Sequence, residues 1–200
     1  MKNIAVFASG RGSNFQAIID AVKNKRIKAN LSLLVSDNPQ AAALEKARKS
    51  SIKIFLARRE DFLSRESFEK EIIRAVKRNK IDLIVLAGFM RVLSPGFVKQ
   101  FKNRIINIHP ALLPSFKGAH GIKDAFDYGV KKTGVTVHFV DEKTDHGPII
   151  LQQEVGISHR DTLKSLEEKI HKVEHKLYPE AVRLYLSGRI KVCGRKTRIT

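Results

Sequence analysis

One cysteine, Cys193, stands in 200 residues, and there is no tryptophan. A lone thiol excludes an internal disulfide framework and any cysteine-rich metal site. Cys193 reads as a small apolar residue near the C-terminus rather than a nucleophile. No apolar run approaches the roughly 20 residues that cross a bilayer. Met1-Lys2-Asn3-Ile4-Ala5-Val6-Phe7 goes straight into a strand and then a glycine turn, so no signal peptide is expected and the expected location is cytoplasmic. Acidic residues are also few, 20 against 38 lysines and arginines, for a net charge of +18. Such a balance bears on anionic partners, not on fold. The cations are scattered, however: Lys23, Lys25, Arg26 and Lys28; Arg74, Lys77, Arg78 and Lys80; Lys131 and Lys132; and Arg195, Lys196 and Arg198. No RNA-binding aromatic signature or zinc-finger spacing accompanies them. Solvated helix faces and loops account for most of this charge, and a dedicated nucleic-acid partner is not expected.

Short apolar runs alternate with longer amphipathic ones, the signature of βαβ units. Strands are expected over residues 4–8, 31–36, 52–57, 83–87, 135–140 and 149–155, with another ending at His109. Helices are expected over 14–23, 40–49, 66–77 and 95–101, near Asp124, and over 162–187 with an interruption near Pro179. In the third helix Phe68, Ile72, Ala75 and Val76 fall at i, i+4, i+7 and i+8. The fold class that follows is α/β, a doubly wound, mostly parallel sheet. The chain reads as a single domain, 1–200.

Four segments carry chemistry. In Asn107-Ile108-His109-Pro110 the amide and imidazole lie two residues apart, hence on one face of a strand that Pro110 ends. Ligands of open α/β sheets bind where strands emerge into loops. An amide there can donate to an oxyanion, and a histidine can stabilise it or move a proton. Ser9-Gly10-Arg11-Gly12-Ser13-Asn14 lies between the first strand and first helix. It lacks the third glycine of a dinucleotide fingerprint and the lysine of a nucleoside-triphosphate loop, so a small molecule's terminal phosphate fits it best. The turn 88–93 offers Met90, Val92 and Leu93 as a flat apolar slot for a heteroaromatic ring. Asp141 or Asp145, in the acidic loop after the 135–140 strand, can supply a carboxylate that favours a cationic His109. No metal-ligand spacing accompanies His138 and His146.

Taken together these segments resemble the folate-dependent formyltransferase family, and within it the phosphoribosylglycinamide formyltransferases (GAR transformylases). The match rests on Ser9-Gly10-x-Gly12-Ser13-Asn14, the run from Leu86-Ala87-Gly88 to Leu93, Asn107-x-His109-Pro110-x-Leu112-Leu113-Pro114, Asp145-x-Gly147-Pro148, and Glu174-His175 with Tyr178-Pro179. The resemblance implies one antiparallel strand in the sheet. It also implies transfer of a formyl group from 10-formyltetrahydrofolate to the amine of glycinamide ribonucleotide (GAR), in purine biosynthesis. Asn107, His109 and Asp145 would be the catalytic trio. Gly12, Ser13 and Asn14 would take the ribonucleotide phosphate, and Glu174 its ribose. Arg65, Met90, Arg91, Val92 and Leu93, with Asp141, Glu142, Lys143 and Thr144, would take the folate. His120 would lie in a loop that orders over the site. Residues 1–100 would form the phosphate- and ribonucleotide-binding half and 101–200 the catalytic and folate-binding half.

Two relatives share the Asn-x-His motif. A methionyl-tRNA formyltransferase would be expected to carry a further C-terminal domain, and a formyltetrahydrofolate deformylase a further N-terminal one. Length argues against both, and the phosphate turn argues for a small phosphorylated acceptor. Small-molecule substrates, no membrane, and a monomer or homodimer complete the expectation.

Overall fold

The computed structural model describes all 200 residues. They divide into two compact units, Met1–Ile106 and Asn107–Thr200.

The first unit is built on β1 (Lys2–Phe7), β2 (Ala29–Ser36), β3 (Lys53–Leu56) and β4 (Leu83–Leu86), in the order β3-β2-β1-β4 and all parallel. Ile4 to Phe7 and Leu83 to Leu86 are buried without alternation, because helices cover both faces of a parallel sheet. Those helices are α1 (Ser13–Lys23), α2 (Ala42–Lys49), α3 (Arg65–Arg78) and the short α4 (Pro95–Gln100). Ser64 caps α3 reciprocally with Ser67, and the helix buries Phe68, Ile72, Ala75 and Val76, the stripe its spacing predicts. Ser94 caps α4 through the amide of Phe97, with Pro95 in the first turn, where its missing N–H costs nothing. β5 (Ile105–His109) begins at the end of this unit.

The second unit takes up the end of β5 and continues through α5 (Gly121–Tyr128), β6 (Lys132–Phe139), β7 (Ile149–Gly156) and α6 (Leu163–Leu186). β7 runs antiparallel to β6, from Lys132↔Gly156 to His138↔Ile149. Its core joins Val135, Val137 and Phe139 of β6 to Leu166, Ile170, Tyr178, Ala181 and Val182 of α6. α6 is continuous through Pro179, contrary to the expected break. A helical proline costs about 3 kcal/mol. Fully buried side chains such as Leu166, Ile170, Tyr178 and Val182 contribute about 1.5–3 kcal/mol each. Packing therefore outweighs the break.

β6 begins at Lys132, three residues before the expected start, because its antiparallel partner extends the ladder and Lys132 pairs with Glu154 at 2.7 Å. A hairpin of β8 (Ile190–Cys193) and β9 (Lys196–Ile199) was not anticipated. Gly194, at φ +60°, opens its two-residue loop, as type II′ turns require. The α/β class, with parallel strands and one antiparallel strand, is as expected.

Candidate active site

The second unit holds the polar pair. Asn107 and His109 leave β5 together, and the segment after them is locked from beneath. Buried Thr136 donates to the carbonyl of Ala111 at 2.7 Å and accepts from the amide of Leu113 at 3.1 Å. Gln152 donates to the Leu113 carbonyl at 2.9 Å. The path of the chain after His109 is thus held by neutral hydrogen bonds, two of them fully buried.

His109 is buried between two acceptors. Nε2 lies 2.7 Å from the carbonyl oxygen of Phe116, which can only accept. Nδ1 lies 3.4 Å from Oδ2 of Asp145. The carbonyl fixes a hydrogen on Nε2, and Nδ1 faces the carboxylate. Of the two candidate carboxylates, the structure brings Asp145 to His109. Asp141 instead holds His146 Nδ1 at 2.6 Å and accepts from the amide of Lys143 at 3.0 Å.

Asp145 sits in the left-handed region at φ +47°, a conformation that is costly for a residue with a side chain and recurs at functional sites. Its side chain is 9% exposed. Burial pushes its pKa up, but hydrogen bonding to His138 and to the Gly118 amide, with the charge of His109, outweighs burial and holds it below the usual carboxylate value. The Gly118 contact is 2.8 Å. Gly147, two residues on, passes so close to Phe139 that a Cβ would stand 1.9 Å from its carbonyl oxygen. Only glycine permits that approach, which closes the loop around Asp145.

His138 adjoins the trio, a placement that the sequence, which weighed it only for metal ligation, did not single out. Its Nδ1 lies 2.8 Å from the carbonyl of Phe139, and its Nε2 stands 3.3 Å from Asn107 Nδ2 and 3.7 Å from Oδ1 of Asp145. The Asn107 amide beside it keeps an Nδ2 hydrogen for a ligand. The only sequence signal was a histidine inside an apolar strand.

The 115–121 stretch is irregular up to α5, as expected. Phe116, at φ +51°, turns its carbonyl to His109 while its ring meets Tyr128 edge-on at 5.9 Å between centroids. His120 is exposed at the N-cap of α5. Glu142, Lys143 and Thr144 are exposed on the acidic loop. Arg195 of the hairpin donates to the His146 carbonyl at 2.9 Å. On α6, buried Glu174 contacts His171 at 2.9 Å, and burial, with the charge of Glu174, raises the Tyr178 phenol well above its ordinary value.

The first unit holds the two turns. Gly12, at φ +64°, is the N-cap of α1, and a Cβ there would meet that of Ala43 at 2.9 Å. No side chain caps the helix: Ser13 and Asn14 are its first helical residues rather than its caps, because the left-handed Gly12 starts the helix ahead of them. The positive end of α1 is therefore not covered by a capping oxygen of its own, as an anion site requires. In the other turn Met90 is 72% and Val92 67% exposed, while Leu93 packs into the core. Exposed apolar side chains of that size suit an apolar ligand rather than a core-packed strand end. Arg65 donates to the Val92 carbonyl and pairs with Glu69 at 3.1 Å. Glu69 in turn accepts from the Ser94 amide at 2.8 Å, so the far side of the turn is braced.

An imidazole set against a carboxylate, beside an amide on the same strand face, is an arrangement that can stabilise an oxyanion in acyl-type group transfer. Residues 2–182 match the formyl transferase family, and the chain belongs to that family. It is 44% identical over 186 residues to the phosphoribosylglycinamide formyltransferase of Bacillus subtilis, covering 93% of this chain and 95% of that one. Among solved structures it is similar to glycinamide ribonucleotide transformylase 1 of Symbiobacterium toebii, at 40% identity and a TM-score of 0.97, over 100% of this chain and 94% of that one. A formyltetrahydrofolate deformylase from Pseudomonas syringae aligns at 27% identity and a TM-score of 0.92, with 99% of this chain covering 65% of that one. No helix is long and apolar enough to cross a membrane.

Proposed function

We propose that this enzyme transfers the formyl group of 10-formyltetrahydrofolate to the amine of glycinamide ribonucleotide, giving formyl-GAR and tetrahydrofolate in purine biosynthesis. The amine lone pair attacks the formyl carbon, and the carbonyl π pair moves onto oxygen. An Nδ2 hydrogen of Asn107 and the Nε2 hydrogen of His109, once it leaves the Phe116 carbonyl, donate to that oxyanion. Asp145 keeps His109 cationic and, through water, relays the ammonium proton toward N10 of the folate. The C–N10 bond then breaks, tetrahydrofolate departs, and the carbonyl re-forms on the new amide. No nucleophile from the protein enters the sequence.

Gly12, Ser13 and Asn14 bind the phosphate and Glu174 the ribose. Arg65, Met90, Arg91, Val92 and Leu93, with 141–144, bind the folate, and the loop bearing His120 closes over the reaction to exclude water. The phosphate is assigned to residues 1–100 and the chemistry to 101–200. The substrates are small molecules in the cytoplasm, the enzyme is a monomer or homodimer, and its charge serves those substrates rather than a nucleic acid.

The observation that carries this reading is His109 held between Asp145 and an acceptor, with Asn107 beside it. The test follows tetrahydrofolate release and the mass of the acceptor when both substrates are supplied. Formyl-GAR is the expected product. If water or methionyl-tRNA is the sole acceptor, the assignment fails.

A further inference from the structure

Asp37, just after β2, is a buried carboxylate that the proposed chemistry does not use. Its side chain is 6% exposed. One oxygen accepts a short hydrogen bond from the Ser9 hydroxyl, and the other accepts from Nε of Arg91 at 2.7 Å. A serine hydroxyl has one hydrogen, so giving it to Asp37 fixes the rotor and leaves a lone pair for the Met90 amide, which donates to Ser9 Oγ at 3.2 Å. The Ser9 amide donates to the Gly88 carbonyl at 3.0 Å, and Asn38 Nδ2 donates to the Ser9 carbonyl at 2.9 Å. Ser9 opens the phosphate turn, while Gly88, Met90 and Arg91 belong to the exposed apolar turn. One carboxylate therefore ties both turns, each through a separate oxygen.

We infer that Asp37 is a positioning residue that sets the phosphate turn and the apolar folate turn in register, and so governs affinity for both substrates while touching neither. The inference rests on the assignment of those turns to ribonucleotide and folate. Charge-assisted hydrogen bonds to a shielded carboxylate are stronger than neutral ones, and here both are made in place before any ligand arrives. Losing the carboxylate frees the Ser9 rotor, removes the orientation of the Met90 amide and leaves the Arg91 guanidinium without its partner. Both turns loosen together.

Asp37→Asn keeps the shape but only one acceptor oxygen. KM for glycinamide ribonucleotide and for 10-formyltetrahydrofolate should each rise roughly tenfold, with kcat within about threefold of the parent enzyme. Ser9→Ala, which removes only the hydroxyl, should raise both KM values in the same sense. The double variant should be no worse than Asp37→Asn alone, because the two side chains act as one unit. Calorimetric titration of ribonucleotide alone, and of tetrahydrofolate alone, should weaken with the same variants. A variant that loses thermal stability while keeping both KM values, or that raises only one, overturns the inference. Should Asp37→Asn fail to fold, Ser9→Ala carries the same test. Absence of transfer by the unaltered enzyme would count against the functional reading alone, since the two titrations still compare variant with parent.

Discussion

Asp145 occupies a left-handed backbone position, faces two imidazoles and accepts the Gly118 amide, so its charge bears on folding as well as on the proposed chemistry. Its folded pKa is depressed, so the stability it contributes is present above the unfolded value, about 4, and is lost as pH falls through the folded value. Thermal unfolding of the parent and of Asp145→Asn should therefore differ most near neutral pH and converge in acid. A constant gap across that range would show that the carboxylate's charge is not the stabilising element. In catalysis, His109→Ala and Asp145→Asn should lower kcat by about 10²–10⁴-fold while KM for the ribonucleotide stays within about threefold. Asn107→Ala should cost about 10²–10³-fold, the range for one oxyanion donor. Steady-state kinetics with saturating folate would separate these outcomes.

At the level of elements, the parallel strands and the amphipathic helices were legible because burial on a sheet or a helix face imposes a period on the sequence. Asn107 and His109 were legible as a same-face pair for the same reason. The choice of Asp145 over Asp141 was not, because it depends on a left-handed turn and on Gly147 passing against Phe139, neither of which leaves a periodic trace. The partnership of His138 with Asn107 joins residues distant in sequence and was equally silent. The terminal hairpin was silent because its apolar residues alternate with exposed lysine and arginine on a strand pair that is only half covered. Gly147 offers a direct check on the loop it closes. Gly147→Ala overpacks the Phe139 carbonyl and should destabilise by about 1–3 kcal/mol. For a chain of this size that lowers the melting temperature by roughly 2–12 °C. An unchanged melting curve would mean that the loop yields without cost.

Across the whole molecule, part of the +18 charge has a local origin. Lys23, Lys49, Arg78, Lys99 and Arg183 fall in the last turns of their helices, where cations meet the negative end of the dipole. The remaining excess still creates a field that draws anions, and both proposed substrates are anionic. Raising the salt from about 0.01 M to 0.5 M shortens the Debye length from about 30 Å to a few ångströms. kcat/KM should fall severalfold for both substrates with kcat unchanged, and a salt-independent kcat/KM would remove any capture role for the charge. The hydrogen bond from His109 to the Phe116 carbonyl has a consequence for the cell's supply of activated one-carbon units. With His109 engaged by the protein's own backbone, a formyl-folate that bound without an acceptor amine would meet only the Asn107 amide, one of the two proposed donors. Its carbonyl would then be only half polarised toward water, and the activated carbon would be conserved until both partners are present.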